Sequence, residues 1–175
     1  MLKLVALSML AASSGAEPLS CGPHIIVAIK ESSPDLVSIR NASSPGWILK
    51  ELSIDFAPSQ GRVFVDYGLD GATETPFSSN KTGQVRLEKL SGADGGSQKL
   101  GMVFSGFEAP ETFHMLIDFD NHDGAHEFGG DYIDPVELDG ATFTAILKHE
   151  QGKDVTAKGA IGSDGTGSIG GGGCV

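Results

Sequence analysis

Eight carboxylates fall between Asp118 and Asp139, and no lysine or arginine lies between Lys99 and Lys148. An apolar alternation of Phe113, Met115, Ile117 and Phe119 runs into Asp118, Asp120, Asn121, His122, Asp123 and Gly124, with Glu127, Asp131, Asp134, Glu137 and Asp139 behind them. So many acids near one strand end repel one another in the folded chain unless water, salt or a bound cation offsets the repulsion. Calcium has the ligand chemistry that suits them best, because it takes six to eight hard oxygens from carboxylates, amide carbonyls and backbone.

The order Asp118, Asp120, Asp123, Gly124 is similar to the Asp-x-Asp-x-Asp-Gly calcium loop with one extra residue before the third acid, and it lacks the flanking helices of an EF-hand. In a strand, residues 118 and 120 share a face about 7 Å apart, close enough to hold one ion if the chain then turns at Gly124. The expected shell is Asp118 and Asp120 from the strand end, Asp123 from the loop and Glu137 from the following element, with Asn121 and Asp139 as auxiliaries. A transition metal on His122, His126 and Glu127 is the competing metal reading, and Gly124 with Gly129-Gly130 disfavours the helical turn that it needs. The reading without any ion is a solvated acidic loop.

A strand must deliver these acids, and strand-like segments recur at short spacing. They are His24–Ile29, Leu36–Arg40, Ile48–Phe56, Arg62–Tyr67, Gln84–Leu90, Lys99–Phe104, Thr112–Phe119, Ala141–Lys148 and Val155–Ile161. Leu52, Ile54 and Phe56 alternate with Ser53 and Asp55, and Val63, Val65 and Tyr67 with Phe64 and Asp66. The pattern predicts an all-β antiparallel sandwich of about nine strands, jelly-roll or Ig-like in kind. Helices are expected to be short or absent, because no long window keeps a period of 3.6 without Gly or Pro. Residues 57–61 (Ala-Pro-Ser-Gln-Gly) predict a hairpin between the strands on either side, with Gly61 supplying a positive dihedral. Trp47, the single tryptophan, is expected to plug the core rather than to bind sugar.

The first sixteen residues combine Lys3, an apolar run from Leu4 to Ala12 and small residues at Ser14 and Ala16, as in a secretory signal. Cleavage after Ala16 leaves a β-sandwich domain over 17–161 and a Gly-rich tail over 162–175. A lipid anchor on Cys21 fits poorly, because Pro18 and polar residues separate it from the apolar run. The expected location is therefore secreted or periplasmic. Cys21 and Cys174 are the only cysteines, and an oxidising compartment predicts that they pair. The formal net charge of -11 disfavours nucleic acid and anionic membrane surfaces as partners. No stretch reaches the length of a membrane span.

Catalysis is not expected. A glycosidase pair needs a sheltered cleft lined with sugar-gripping aromatics, and the nine Phe, two Tyr and one Trp sit mostly where a core wants them. No Gly-x-Ser-x-Gly occurs. The sequons Asn41-Ala42-Ser43 and Asn80-Lys81-Thr82 would accept glycan in a eukaryotic secretory path.

Several stretches together carry a resemblance: Glu31 to Asp35, Ile39-Arg40-Asn41, Trp47, Leu52 to Asp55, Gly61 to Asp66, Ile117 to Asp120 and Val136 to Ala141. Over roughly Ile25 to Leu147 the chain resembles the small secreted bacterial proteins labelled "aggregation factor core", after a sponge cell-adhesion proteoglycan. The resemblance implies calcium-dependent adhesion, with Asp118, Asp120 and Glu137 as the first positions to carry over. Asn121-His122 stand where a further acid would be expected. The expected partner is an extracellular polysaccharide, a cell-surface protein or another copy of the chain. The alternative is a metal-free module that grips glycan or matrix through an exposed sheet face, and a glycan-cleaving enzyme ranks behind both.

Overall fold

The computed structural model describes residues 22–32, 34–66, 78–93, 95–121 and 133–170. Among them are twelve strands: β1 (Ile25–Lys30), β2 (Asp35–Asn41), β3 (Trp47–Asp55), β4 (Phe64–Val65), β5 (Ser78–Lys81), β6 (Arg86–Ser91), β7 (Lys99–Glu108), β8 (Thr112–Ile117), β9 (Phe119–Asp120), β10 (Thr142–His149), β11 (Asp154–Ala160) and β12 (Thr166–Ile169). A single 3-10 turn, Pro135–Leu138, precedes β10.

The strands form two five-stranded antiparallel sheets. Sheet A runs β12-β1-β2-β8-β5, sheet B runs β11-β10-β3-β7-β6, and β4 pairs with β9 in a separate ribbon. Period-two alternation puts one face of each sheet into a shared core. Val27, Val37, Phe113 and Met115 enter it from sheet A, and Leu52, Leu100, Phe107 and Phe143 from sheet B. Each such side chain contributes about 1.5–3 kcal/mol on burial. Trp47 is 6 % exposed and its ring lies edge-on to His149 at 4.9 Å, so it is part of the core.

All nine expected segments contain a strand, and the structure adds to them. The segment 112–119 is divided, because the chain leaves β2 after Ile117 and pairs with β4 from Phe119 onward. Phe119 is buried against Phe56 at 5.0 Å between ring centres, which anchors that change of partner. Strands β5 and β12 are polar and lie on sheet edges. The Gly-rich segment after 161, expected as a tail, therefore supplies β12, whose Ile169 pairs with Ile25 of the first strand.

The expected hairpin at 57–61 is also corrected. Two tight turns do form, Ser59 N–H donating to the Phe56 carbonyl at 2.9 Å and Arg62 N–H to that of Ser59 at 3.0 Å. The strands on either side do not pair with each other: β3 lies between β10 and β7, and β4 joins β9. The left-handed residue is Arg62, with φ of 49°. Gly61 serves closeness instead, since a Cβ there would lie 2.8 Å from the Cβ of Glu137. No helix among the described residues is long and apolar enough to cross a membrane.

Candidate functional site

Two regions gather polar chemistry. The first is the acidic edge where β8 gives way to β9. Burial alternates from Ile117 to Asp120, so Asp118 and Asp120 share the face turned away from the core, as expected. The backbone of Asp118 is held by the amide of Asp66, which donates to its carbonyl at 3.0 Å. Asp120 Oδ1 accepts from the Asn121 amide at 2.7 Å.

Glu137 accepts a hydrogen bond at each carboxylate oxygen. Its Oε1 accepts from Asn121 Nδ2 at 2.7 Å and its Oε2 from the Asp134 amide at 3.0 Å. The Asp134 carboxylate in turn accepts from the Val136 amide, which completes a reciprocal capping box on the 3-10 turn. The backbone around it is tied to the loop after β3, Gly61 donating to the Glu137 carbonyl at 2.9 Å and Gln60 to that of Asp139 at 2.8 Å. The Asp139 side chain is exposed. Asn121, Glu137, Asp134 and Gly61 thus form a clamp that fastens the end of β9 to the approach of β10.

Beneath the edge lies a carboxylate that the acidic spacing does not single out. Asp35 is fully buried, accepting from the Phe119 amide at Oδ2 and the Ser32 amide at Oδ1, both at 3.3 Å. Burial pushes its carboxyl from 3.8 up to about 7. The charges of Asp118 and Glu31 push the same way, while the two amide hydrogen bonds oppose the shift. The signal was parity, since Asp35 falls on the same face as Val37 and Ile39.

Of the expected calcium set, then, the structure joins Asn121 to Glu137 and places Asp118 and Asp120 on one face. Asp123, like His122, His126 and Glu127, lies outside the described residues. Among the described residues no three His, Cys, Asp or Glu side chains form a group suited to a metal ion. Cys21 and Cys174 also lie outside the described residues.

The first sequon has a structural use. Asn41 is fully buried, and its Nδ2 donates to the carbonyls of Trp47 at 3.0 Å and Phe107 at 2.9 Å while Oδ1 accepts from the Ser43 amide. It pins sheet A to sheet B and does not present its amide to a glycan-transferring enzyme.

The second region is the outer face of sheet B. Residues opposite each other in an antiparallel pair share a face, so register lays rows across the sheet. The middle row reads Lys158, Thr144, Ser53, Gly101 and Ser91. Beside it stand Ile146, Glu51, Val103 and Lys89 on one side and Thr142, Asp55 and Lys99 on the other. Thr144, Ser53, Gly101 and Ser91 therefore form a floor of short side chains, with Lys158 at one end and Ile146, Glu51, Val103 and Lys89 on one side and Asp55 and Lys99 on the other. Gly101 keeps the floor low, because a Cβ there would lie 2.5 Å from Ser91 Oγ. Two depressions, of ≈ 430 and ≈ 260 Å³, share Ser53 and Thr144 and join into one trough that runs across the strands.

Such a surface offers hydroxyl and ammonium groups to a ligand. No protein-family model, curated protein or solved structure matches the chain.

Proposed function

We propose that this chain is a secreted or periplasmic, non-catalytic adhesion module that holds an extended extracellular polymer in the trough of sheet B. The observation that carries this reading is the continuous row of Thr144, Ser53, Gly101 and Ser91, low and hydroxyl-bearing, between walls of longer polar and apolar side chains. Ligand sites are concave surfaces with a few converging polar groups, and a trough across several strands suits a chain better than a compact ligand. The "aggregation factor core" resemblance supplies the adhesive role. Affinity electrophoresis through gels containing different polysaccharides tests it: the protein is retarded by at least one, and Ser53→Leu, which fills the floor, removes the retardation. Free migration through every gel would overturn the reading.

A second reading, calcium at the acidic edge, is favoured by one observation: Asp118 and Asp120 share a face above the buried Asp35, whose ionisation Asp118 opposes. A cation there would relieve the repulsion. A calcium-specific rise in Tm that follows ln(1 + [L]/Kd), lost in the Asp118→Ala/Asp120→Ala double variant, is its expected result. A Tm indifferent to calcium and chelator would remove it.

A further inference from the structure

The charges on the trough narrow the ligand beyond an unspecified polymer. Its floor and walls hold three lysines, Lys158, Lys89 and Lys99, against two carboxylates, Glu51 and Asp55, on a chain whose formal net charge is -11. Asp55 is already offset by Lys99, whose Nζ lies 3.4 Å from its Oδ2. Lys158 and Lys89 have no ion pair among the described residues. They stand on opposite edge strands, β11 and β6, at the two ends of the trough. Four interstrand steps separate those strands, which places the two ammonium-bearing positions about 19 Å apart.

We propose that the trough binds a linear polysaccharide carrying anionic sugar units, with Lys158 and Lys89 each taking one carboxylate or sulfate and the hydroxyls of Thr144 and Ser53 contacting the sugar rings of the several units that lie between them. This rests on the reading of the sheet B face as the binding surface.

Three observations select this class. The long axis of the trough crosses the strands, whose backbone groups are already paired within the sheet, so a peptide cannot add there as a further strand. None of the residues lining either depression is aromatic, so the ring-stacking platform that neutral sugars favour is missing. Cationic groups at the two ends, with hydroxyls between, match a ligand whose charges recur along a chain. Lysine is a compact point charge that accepts carboxylate and sulfate alike.

The test is titration calorimetry of the secreted chain with oligogalacturonates, sulfated oligosaccharides and neutral oligoglucans of equal length, in low and high salt. The proposal expects an acidic oligomer to bind, binding to weaken with salt, and Lys89→Gln/Lys158→Gln to lower affinity at least tenfold with Tm unchanged. The carboxylated and sulfated arms identify which anion is preferred. If a neutral oligomer binds as tightly, and the lysine variant matches wild type while Ser53→Leu abolishes binding, the anionic class is overturned and the sheet-face reading stands. If no oligomer binds, or binding survives Ser53→Leu, both are overturned.

Discussion

The acidic edge and the trough of sheet B use polar residues in opposite ways. At the edge, Asp35, Asp134 and Glu137 accept from backbone amides, and Asn121 is bonded to Glu137; their polar groups go into joining β9, β2 and the 3-10 turn. In the trough, Ser53, Ser91 and Lys158 are exposed, and they could change with little consequence for folding. Of the acids that announce chemistry in the sequence, Asp134 and Glu137 are thus occupied in holding the 3-10 turn and the end of β9, whereas ordinary outward-facing strand positions make the open surface of sheet B.

That contrast can be broken or sharpened by substitution. The largest expected effect is the pH dependence of stability that Asp35 imposes. Its folded carboxyl titrates near 7 against 3.8 for an exposed one, so between those values the folded chain binds more protons than the unfolded chain. Stability conferred by the protonated carboxyl is present at low pH and falls as pH rises through about 7, by no more than about 4 kcal/mol. Urea denaturation of wild type and Asp35→Asn between pH 4 and 8 should show the variant with a flatter profile in that window. Equal slopes would mean that Asp35 is not the buried acid described.

Next in size is Asn41→Ala, which leaves the carbonyls of Trp47 and Phe107 without the amide that bridges the sheets. A loss of about 2–4 kcal/mol follows from two buried acceptors left unsatisfied, measured by the shift in urea midpoint, and polymer binding should persist in the folded variant. Glu137→Ala is expected to cost about 1–2 kcal/mol, because it removes one half of the capping box and the Asn121 contact. Should Glu137→Ala abolish a calcium response instead, the edge would be a metal site and the contrast would fail. The smallest expected stability effect is that of Ser53→Leu, within about 0.5 kcal/mol for an exposed strand position.

How much of this was legible follows from where each signal resides. Alternation within one strand is local, and it located the sandwich and most of its strands, Leu52-Ser53-Ile54 being typical. Strands β5 and β12 carry the sequences SSNK and TGSI; an edge strand with a polar face can be held by its ladder alone and leaves no apolar rhythm. The break between β8 and β9 was hidden because alternation continues through Asp118 even as the pairing partner changes. At the edge, the shared face of Asp118 and Asp120 was readable from parity, and the Asp134, Pro135, Glu137 capping pattern was present in the sequence. The trough was not readable, because Lys158, Thr144, Ser53, Gly101 and Ser91 come from five strands and meet only through register.

The most direct test compares wild type, Ser53→Leu and Glu137→Ala for affinity towards one acidic oligosaccharide, with Tm recorded on the same samples. The account predicts a double dissociation: Ser53→Leu loses binding at wild-type Tm, and Glu137→Ala keeps wild-type affinity at a lowered Tm. Loss of binding in Glu137→Ala together with full binding in Ser53→Leu would contradict it and move the functional surface to the acidic edge.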